Sequence, residues 1–199
     1  MSQRWWLAPL FCALLGGGTA RGAANLELAQ AALARTSAEV VYDGAYRSIA
    51  YPGGDVPSHI GVCTDVVVRA YRTLGVDLQV LVHEDMRGNF DAYPRLWGLN
   101  RPDTNIDHRR VPNLETFFAR NGHAMTPTRN ADSYLPGDVV SWRLGGSLPH
   151  IGIVSHRRNP ATDRPYIIHN VGEGPKEEDV LFQYQLHGHF RYPAPADSP

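Results

Sequence analysis

The sequence predicts an α+β domain in which an antiparallel sheet packs against a helix that begins at a cysteine. Three observations lead there. Apolar residues recur at helical spacing in the first half of the chain. Short apolar runs separated by turn residues fill the last third. The helical segments come first and the strands later, an order that gives an α+β layering.

Taken in order, residues 25–49 read as one helix, with Leu26, Leu28, Ala29, Ala32, Leu33 and Val40 as its apolar stripe and an interruption near Thr36–Ser37. Residues 50–61 contain Pro52, Gly53, Gly54 and Pro57 and form a loop. From Val62 the positions Val66, Val67, Ala70, Tyr71 and Leu74 have helical spacing, and Gly75 is a suitable stop. The run Val66-Val67-Val68 favours a strand locally, but the longer pattern argues for helix. Residues 76–135 read as an elaborated loop packed over the domain, with one short helix at 112–121 carrying Leu114, Phe117 and Phe118. Apolar runs at 138–143, 150–155, 166–171 and 189–192 then form an antiparallel meander, the first two separated by Gly145-Gly146.

With 199 residues, 43% of them hydrophobic, the chain is long enough for one domain with a substantial core. Nineteen basic and 20 acidic residues nearly cancel, so no strong field recruits nucleic acid or anionic lipid. The N-terminus has a different pattern. Arg4, an apolar stretch from Trp5 to Leu15 and then small residues form a secretory signal over 1–24, with cleavage expected after Ala20 or Ala24. The apolar run is too short for a membrane span, so no integral segment is expected after cleavage. The mature domain is 25–199, exported, with the periplasm as the first expectation and secretion as the second.

Cleavage removes Cys12 and leaves Cys63 as the single cysteine of the mature chain. A lone cysteine in an oxidising compartment is either an inert buried thiol or one kept for chemistry. Cys63 stands where a helix begins, the position where unpaired backbone N–H groups lower a thiol pKa. A thiol also needs a base. His150 opens one strand and His169 lies in the next, so the second residue could bond the outer nitrogen of the first and fix its tautomer. Strand alternation sends His169 and Asn170 to opposite faces, and either could be that orienting group. Asp107-His108-Arg109-Arg110 reads equally as a carboxylate-recognition element or as a salt-bridge cluster holding the long loop. No metal-binding spacing such as His-Glu-x-x-His is present, and no metal or other cofactor is expected.

These residues carry a resemblance. Tyr51-Pro52-Gly53-Gly54 followed by Gly61-Val62-Cys63-Thr64-Asp65-Val66 is similar to the Tyr-x-Gly-Gly … Asp-Cys-Ser-Gly-Phe-Val segment of NlpC-type cell-wall peptidases. Leu135-Pro136-Gly137-Asp138-Val139-Val140 resembles their leading strand. Pro149-His150-Ile151-Gly152-Ile153-Val154 resembles their histidine strand, and Tyr166-Ile167-Ile168-His169 the strand bearing their third residue. The mature sequence as a whole resembles an exported bacterial family catalogued as domain of unknown function 1287, on Gly61-Val-Cys-Thr-Asp65, Asp77-Leu-Gln79, Asn105-Ile-Asp-His-Arg-Arg-Val-Pro-Asn113 and His150-Ile-Gly-Ile-Val154.

The resemblance implies a papain-like, NlpC-type fold with Cys63 as nucleophile, His150 as base and His169 as third member. It also implies that Tyr51 lies beside the thiol and helps polarise the substrate carbonyl. Thr64-Asp65 replaces the usual Ser-Gly, which makes Asp65 a determinant of the local pocket, alongside Asn170, His108 and Arg109 as candidate substrate contacts. The implied activity is cleavage of amide bonds in peptidoglycan stem peptides by a monomer. The alternatives are an acyl hydrolase or acyltransferase acting on lipid or protein, and a non-catalytic wall-binding domain.

Overall fold

The computed structural model describes residues 17–192, with side chains described from residue 26 onward except that of His123. The leader expected over 1–24 therefore lies largely outside the described residues. No helix among them is long and apolar enough to cross a membrane.

Helix α1 (Gly17–Ala34) ends well short of the expected 25–49. Its last turn passes into a 3-10 turn at Arg35–Ser37, where the Thr36 and Ser37 hydroxyls donate to Leu33 O (2.8 Å) and Ala34 O (2.9 Å). Hydroxyls that satisfy the terminal carbonyls close a helix instead of extending it. The chain then makes a two-residue parallel pair, β1 (Val41–Tyr42) with β2 (Ile60–Gly61), in which Tyr42 is registered on Gly61.

Helix α2 (Cys63–Thr73) follows directly and stops at Gly75, whose φ of +77° suits a residue without a Cβ. Its apolar face, with Val66, Val67 and Ala70, is buried. The region expected to be loop contains a further helix, α3 (Leu78–Asn89). Asp77 caps it by accepting from Gln79 N–H, and Leu78, Val82 and Met86 bury one side at i, i+4, i+8 spacing. Helix α4 (Val111–Asn121) has Pro112 in its first turn, where a missing N–H costs nothing.

Six strands form one sheet: β3 (His123–Met125), β4 (Val139–Leu144), β5 (Leu148–Arg158), β6 (Pro165–Asn170), β7 (Pro175–Glu178) and β8 (Gln185–Arg191), in the order β3-β8-β4-β5-β6-β7. Strands β4 to β7 are the meander. The last strand departs from it, returning to pair with β4 on its other side. One face of the sheet carries Val139, Ile151, Ile153 and Ile168 against α1, α2 and α4. The other carries Val140, Trp142, Val154 and Ile167 against Tyr134, Val180 and Leu181. Alternation along β5 and β6 thus turns Ile151 and Ile168 to α2, and His150 and His169 to the second core.

Candidate active site

The N-terminus of α2 is held by one buried ion pair. Asp65 accepts from Val62 N–H at 2.6 Å and takes both Arg109 Nε and Nη2 at 2.9 Å. Arg109 also donates to Asp43 O and Ala45 O, and Thr64 Oγ1 donates to Arg109 O at 3.1 Å. Thr64 and Asp65, the two departures from the NlpC pattern, therefore clamp the 107–109 turn and the 43–45 loop to the start of the cysteine helix. Asp65 and Arg109, expected as substrate contacts, spend most of their polar atoms inside the fold, although Arg109 also lines the cleft at Cys63.

Two further expectations are corrected by burial. His108 is almost fully enclosed, and desolvation pushes its imidazole down to about 4. Asn170 is also enclosed; it accepts from Gly172 N–H and lies beside Val62, Asp65 and Arg69, on the face away from His169. Tyr51 is placed over α3, where its hydroxyl donates to Glu84 (2.9 Å) and its ring meets His83 edge-on at 5.2 Å. The phenol nearest the thiol is that of Tyr42, which is pushed up to about 12 by burial first and by Cys63 second.

Cys63 is nearly enclosed, with the backbone N–H groups of Ile151 and of the start of α2 facing its sulfur. Those donors lower the thiol pKa, as a helix start should, but desolvation outweighs them and pushes it up to about 11. The expectation of a lowered pKa is reversed for this reason. Ile151 is paired with Ser141 of β4, and the next residue back along β5 is His150, whose side chain is turned by alternation to the opposite face of the sheet.

His150 makes its close contact with His169, Nε2 to Nδ1 at 2.8 Å, with Trp142 tilted against it at 5.8 Å. His169 Nε2 in turn lies 3.0 Å from Glu178 Oε2 on β7. These distances fix the tautomers. The Glu178 carboxylate accepts, so His169 carries its proton on Nε2 and offers a lone pair at Nδ1. His150 must then donate from Nε2, which leaves its Nδ1 as the free base. The resting His150 and Cys63 are both neutral, because burial, aided by His169, pushes His150 down to about 3.

Removing the charge at the far end of this chain loosens the tautomer without touching the thiol. Glu178→Gln should lower kcat about 10-fold with KM unchanged, on the scale of other groups that orient a catalytic histidine. A KM change with kcat intact would contradict that role.

Acid should destabilise the fold through the same buried imidazoles. His108 and His150 are neutral when folded, whereas an unfolded histidine protonates near pH 6.5. The unfolded chain therefore binds more protons below that pH. Their contribution is complete above about pH 6.5 and declines toward pH 4 and below, by about 2 kcal/mol per histidine between pH 6.5 and 5. Asp107, whose carboxyl burial raises, opposes part of this loss. Urea midpoints at pH 7 and pH 5 should differ accordingly, and His108→Gln should flatten the slope; equal midpoints would refute it.

A cleft of about 360 Å³ opens on Cys63, within the range of small-molecule sites. Tyr42 and Val62 lie on one side, Leu148 and Pro149 at the start of β5 on another, and Trp97, Arg110 and Pro112 opposite.

A cysteine at the first turn of a helix, packed on an antiparallel sheet with two bonded histidines on successive strands, defines an α+β domain with a candidate thiol site. Residues 29–192 match the family described as Domain of unknown function (DUF1287), and the chain belongs to that family. It is 53% identical over 169 residues to the uncharacterized protein YijF of Escherichia coli (strain K12), covering 84% of this chain and 82% of that protein. Among solved structures, NlpC1 from Trichomonas vaginalis is similar with a TM-score of 0.48 and 15% identity, over 84% of this chain. The chain spans 44% of that protein's length.

Tyr42, Glu178 and Trp97 lie in or beside this arrangement and were not singled out from the sequence, whereas Arg110 belongs to the 107–110 segment read there as a candidate carboxylate-recognition element. Glu178 had little signal, since Pro175–Glu178 is a polar strand with almost no apolar pattern. Tyr42 had none, since its place depends on the parallel pairing with β2.

Proposed function

We propose that the protein is an exported cysteine hydrolase that cleaves amide bonds in peptidoglycan stem peptides, acting as a monomer. The observation that carries the reading is the bonded line Glu178–His169–His150, which orients His150 on the same strand whose Ile151 N–H faces the Cys63 sulfur. At rest the thiol faces Ile151 N–H and His150 is engaged with His169, so turnover includes closure of Nδ1 onto Sγ. Catalytic hydrogen bonds often tighten only with substrate bound.

Sγ attacks the carbonyl carbon as its proton passes to His150 Nδ1. The C–N bond breaks as that proton moves to the leaving nitrogen, giving a free amine and a thioester on Cys63. Water then attacks the thioester, giving its proton to His150. The C–S bond breaks, the acid leaves and the proton returns to Sγ. Backbone N–H groups at the start of α2 are suited to the oxyanion, and the Tyr42 hydroxyl is placed to assist them. At rest His150 is a weak base and Cys63 a weak acid, so proton transfer depends on the substrate-bound closure of Nδ1 onto Sγ.

The test is mass spectrometry of purified muropeptides incubated with wild type and with Cys63→Ala. A product formed by the wild type alone supports the reading and names the bond. Identical traces reject it.

A further inference from the structure

The segment 107–110 divides between two roles. Asp107 and Arg109 are consumed inside the fold, where Asp107 accepts from Asp103 N–H and Arg109 grips Asp65. Arg110 is different. Its guanidinium lies over the Trp97 indole, 4.7 Å from the ring centroid, and its Nη1 has no hydrogen-bond partner. It forms no ion pair among the described residues.

Both side chains line the cleft that opens on Cys63. Arg109, the other cation there, is neutralised by Asp65, and no aspartate or glutamate lines the cleft. The walls are otherwise mostly apolar, with Val62, Ile106, Leu148 and Pro149. Such a site holds one guanidinium with no direct ion-pair partner among the described residues, felt by Asp103 outside the cleft, beside an apolar slot. The indole fixes the plane of the guanidinium, and a planar fork held in one orientation matches the two oxygens of a carboxylate. Trp97 is 62% exposed and non-glycine at a φ of 57°, so the stacking residue itself is held in a sparsely populated conformation at the rim.

We infer that Arg110, stacked on Trp97, is the specificity subsite of the cleft and binds a carboxylate carried by the substrate close to the scissile bond. The inference rests on Cys63 being the nucleophile. It narrows the substrate class to acyl groups or amines that bear a free carboxylate near the amide, and it disfavours amidated or uncharged analogues.

Two reagents of the same shape separate the subsite from the nucleophile: iodoacetate, which carries a carboxylate, and iodoacetamide, which does not. Alkylation of the full chain is read at Cys63 by peptide mass spectrometry. Relative to free cysteine, the wild type should favour iodoacetate over iodoacetamide by about 5-fold or more at low salt, and less at 1 M salt. Arg110→Gln should lose that preference while keeping its iodoacetamide rate, and Arg110→Lys should keep part of it. A preference unchanged in Arg110→Gln overturns the subsite and leaves the nucleophile standing. Loss of both rates in Arg110→Gln also overturns it, because the residue would then act on the thiol. A wild-type thiol inert to both reagents removes the nucleophile and the subsite together.

Discussion

Replacing Arg109 by glutamine should cost the folded domain about 3–5 kcal/mol, the usual penalty for stripping one partner from a buried ion pair. Asp65 and Arg109 are 4% and 2% exposed in their side chains, so the stranded carboxylate has no water to turn to. The loss is also positional. Arg109 carries the hydrogen bonds that hold Asp43 O and Ala45 O, and through them the strand bearing Tyr42, to the start of α2. For a domain of this size the melting midpoint should fall by roughly 10 °C. Arg157→Gln, which breaks an ion pair whose arginine is 58% exposed, is the control and should change stability by less than about 1 kcal/mol. Equal midpoints for Arg109→Gln and Arg157→Gln would show that the clamp is not what anchors the cysteine helix.

Replacing His150 by glutamine should lower kcat/KM about 1,000-fold, in the range general-base removal costs. Glutamine can keep a hydrogen bond to His169 Nδ1 but cannot take a proton, so the loss isolates proton transfer from packing. The effect should be larger here than at an exposed site. Burial holds the thiol near 11, and without the base almost no thiolate forms at neutral pH. His169→Gln should fall between His150→Gln and Glu178→Gln, because it interrupts the line of tautomers in the middle. A His150→Gln variant that retains most of its turnover would remove the base from the mechanism.

The parts of this arrangement that were legible in the sequence are those set by one segment's own pattern. Helix α2 could be read because Val66, Val67, Ala70 and Tyr71 repeat on one face and Gly75 ends them in a left-handed turn. Strands β4, β5 and β6 could be read because each is a short apolar run between turn residues. Cys63, His150 and His169 followed from those elements. Strand β7 escaped because Pro175-Lys176-Glu177-Glu178 is a polar edge strand with almost no apolar signal, and Glu178 escaped with it. Helix α3 escaped because His83, Glu84 and Asp85 draw attention from the Leu78–Val82–Met86 stripe.

The exchange of Tyr51 for Tyr42 is of another kind. The resemblance of Tyr51-Pro52-Gly53-Gly54 to the Tyr-x-Gly-Gly segment favoured Tyr51, but long-range bonds decide where that loop goes. Gly53 N–H donates to Asp77, Gly54 N–H to Gln79, and Gln79 Nε2 to Ala50 O, and together they draw Tyr51 onto α3. Meanwhile the Tyr42–Gly61 pairing delivers Tyr42 two residues from Cys63. The sign of the thiol's pKa shift was equally hidden, since it depends on how much apolar wall surrounds the sulfur. The 107–110 segment shows the same limit, because only the fold reveals that Arg109 is spent internally and that Arg110 is not.

The central claim is that Cys63 reacts through His150. The rate of iodoacetamide alkylation at Cys63 near pH 6, measured for wild type and His150→Gln against free cysteine, tests it most directly. At that pH a free cysteine is less than about 1% ionised, and a thiol raised by burial is ionised less still. The wild type should nevertheless react about 10-fold faster than free cysteine, with His150 taking the proton, and His150→Gln should fall below free cysteine. A wild-type thiol no faster than free cysteine at pH 6 would contradict the account.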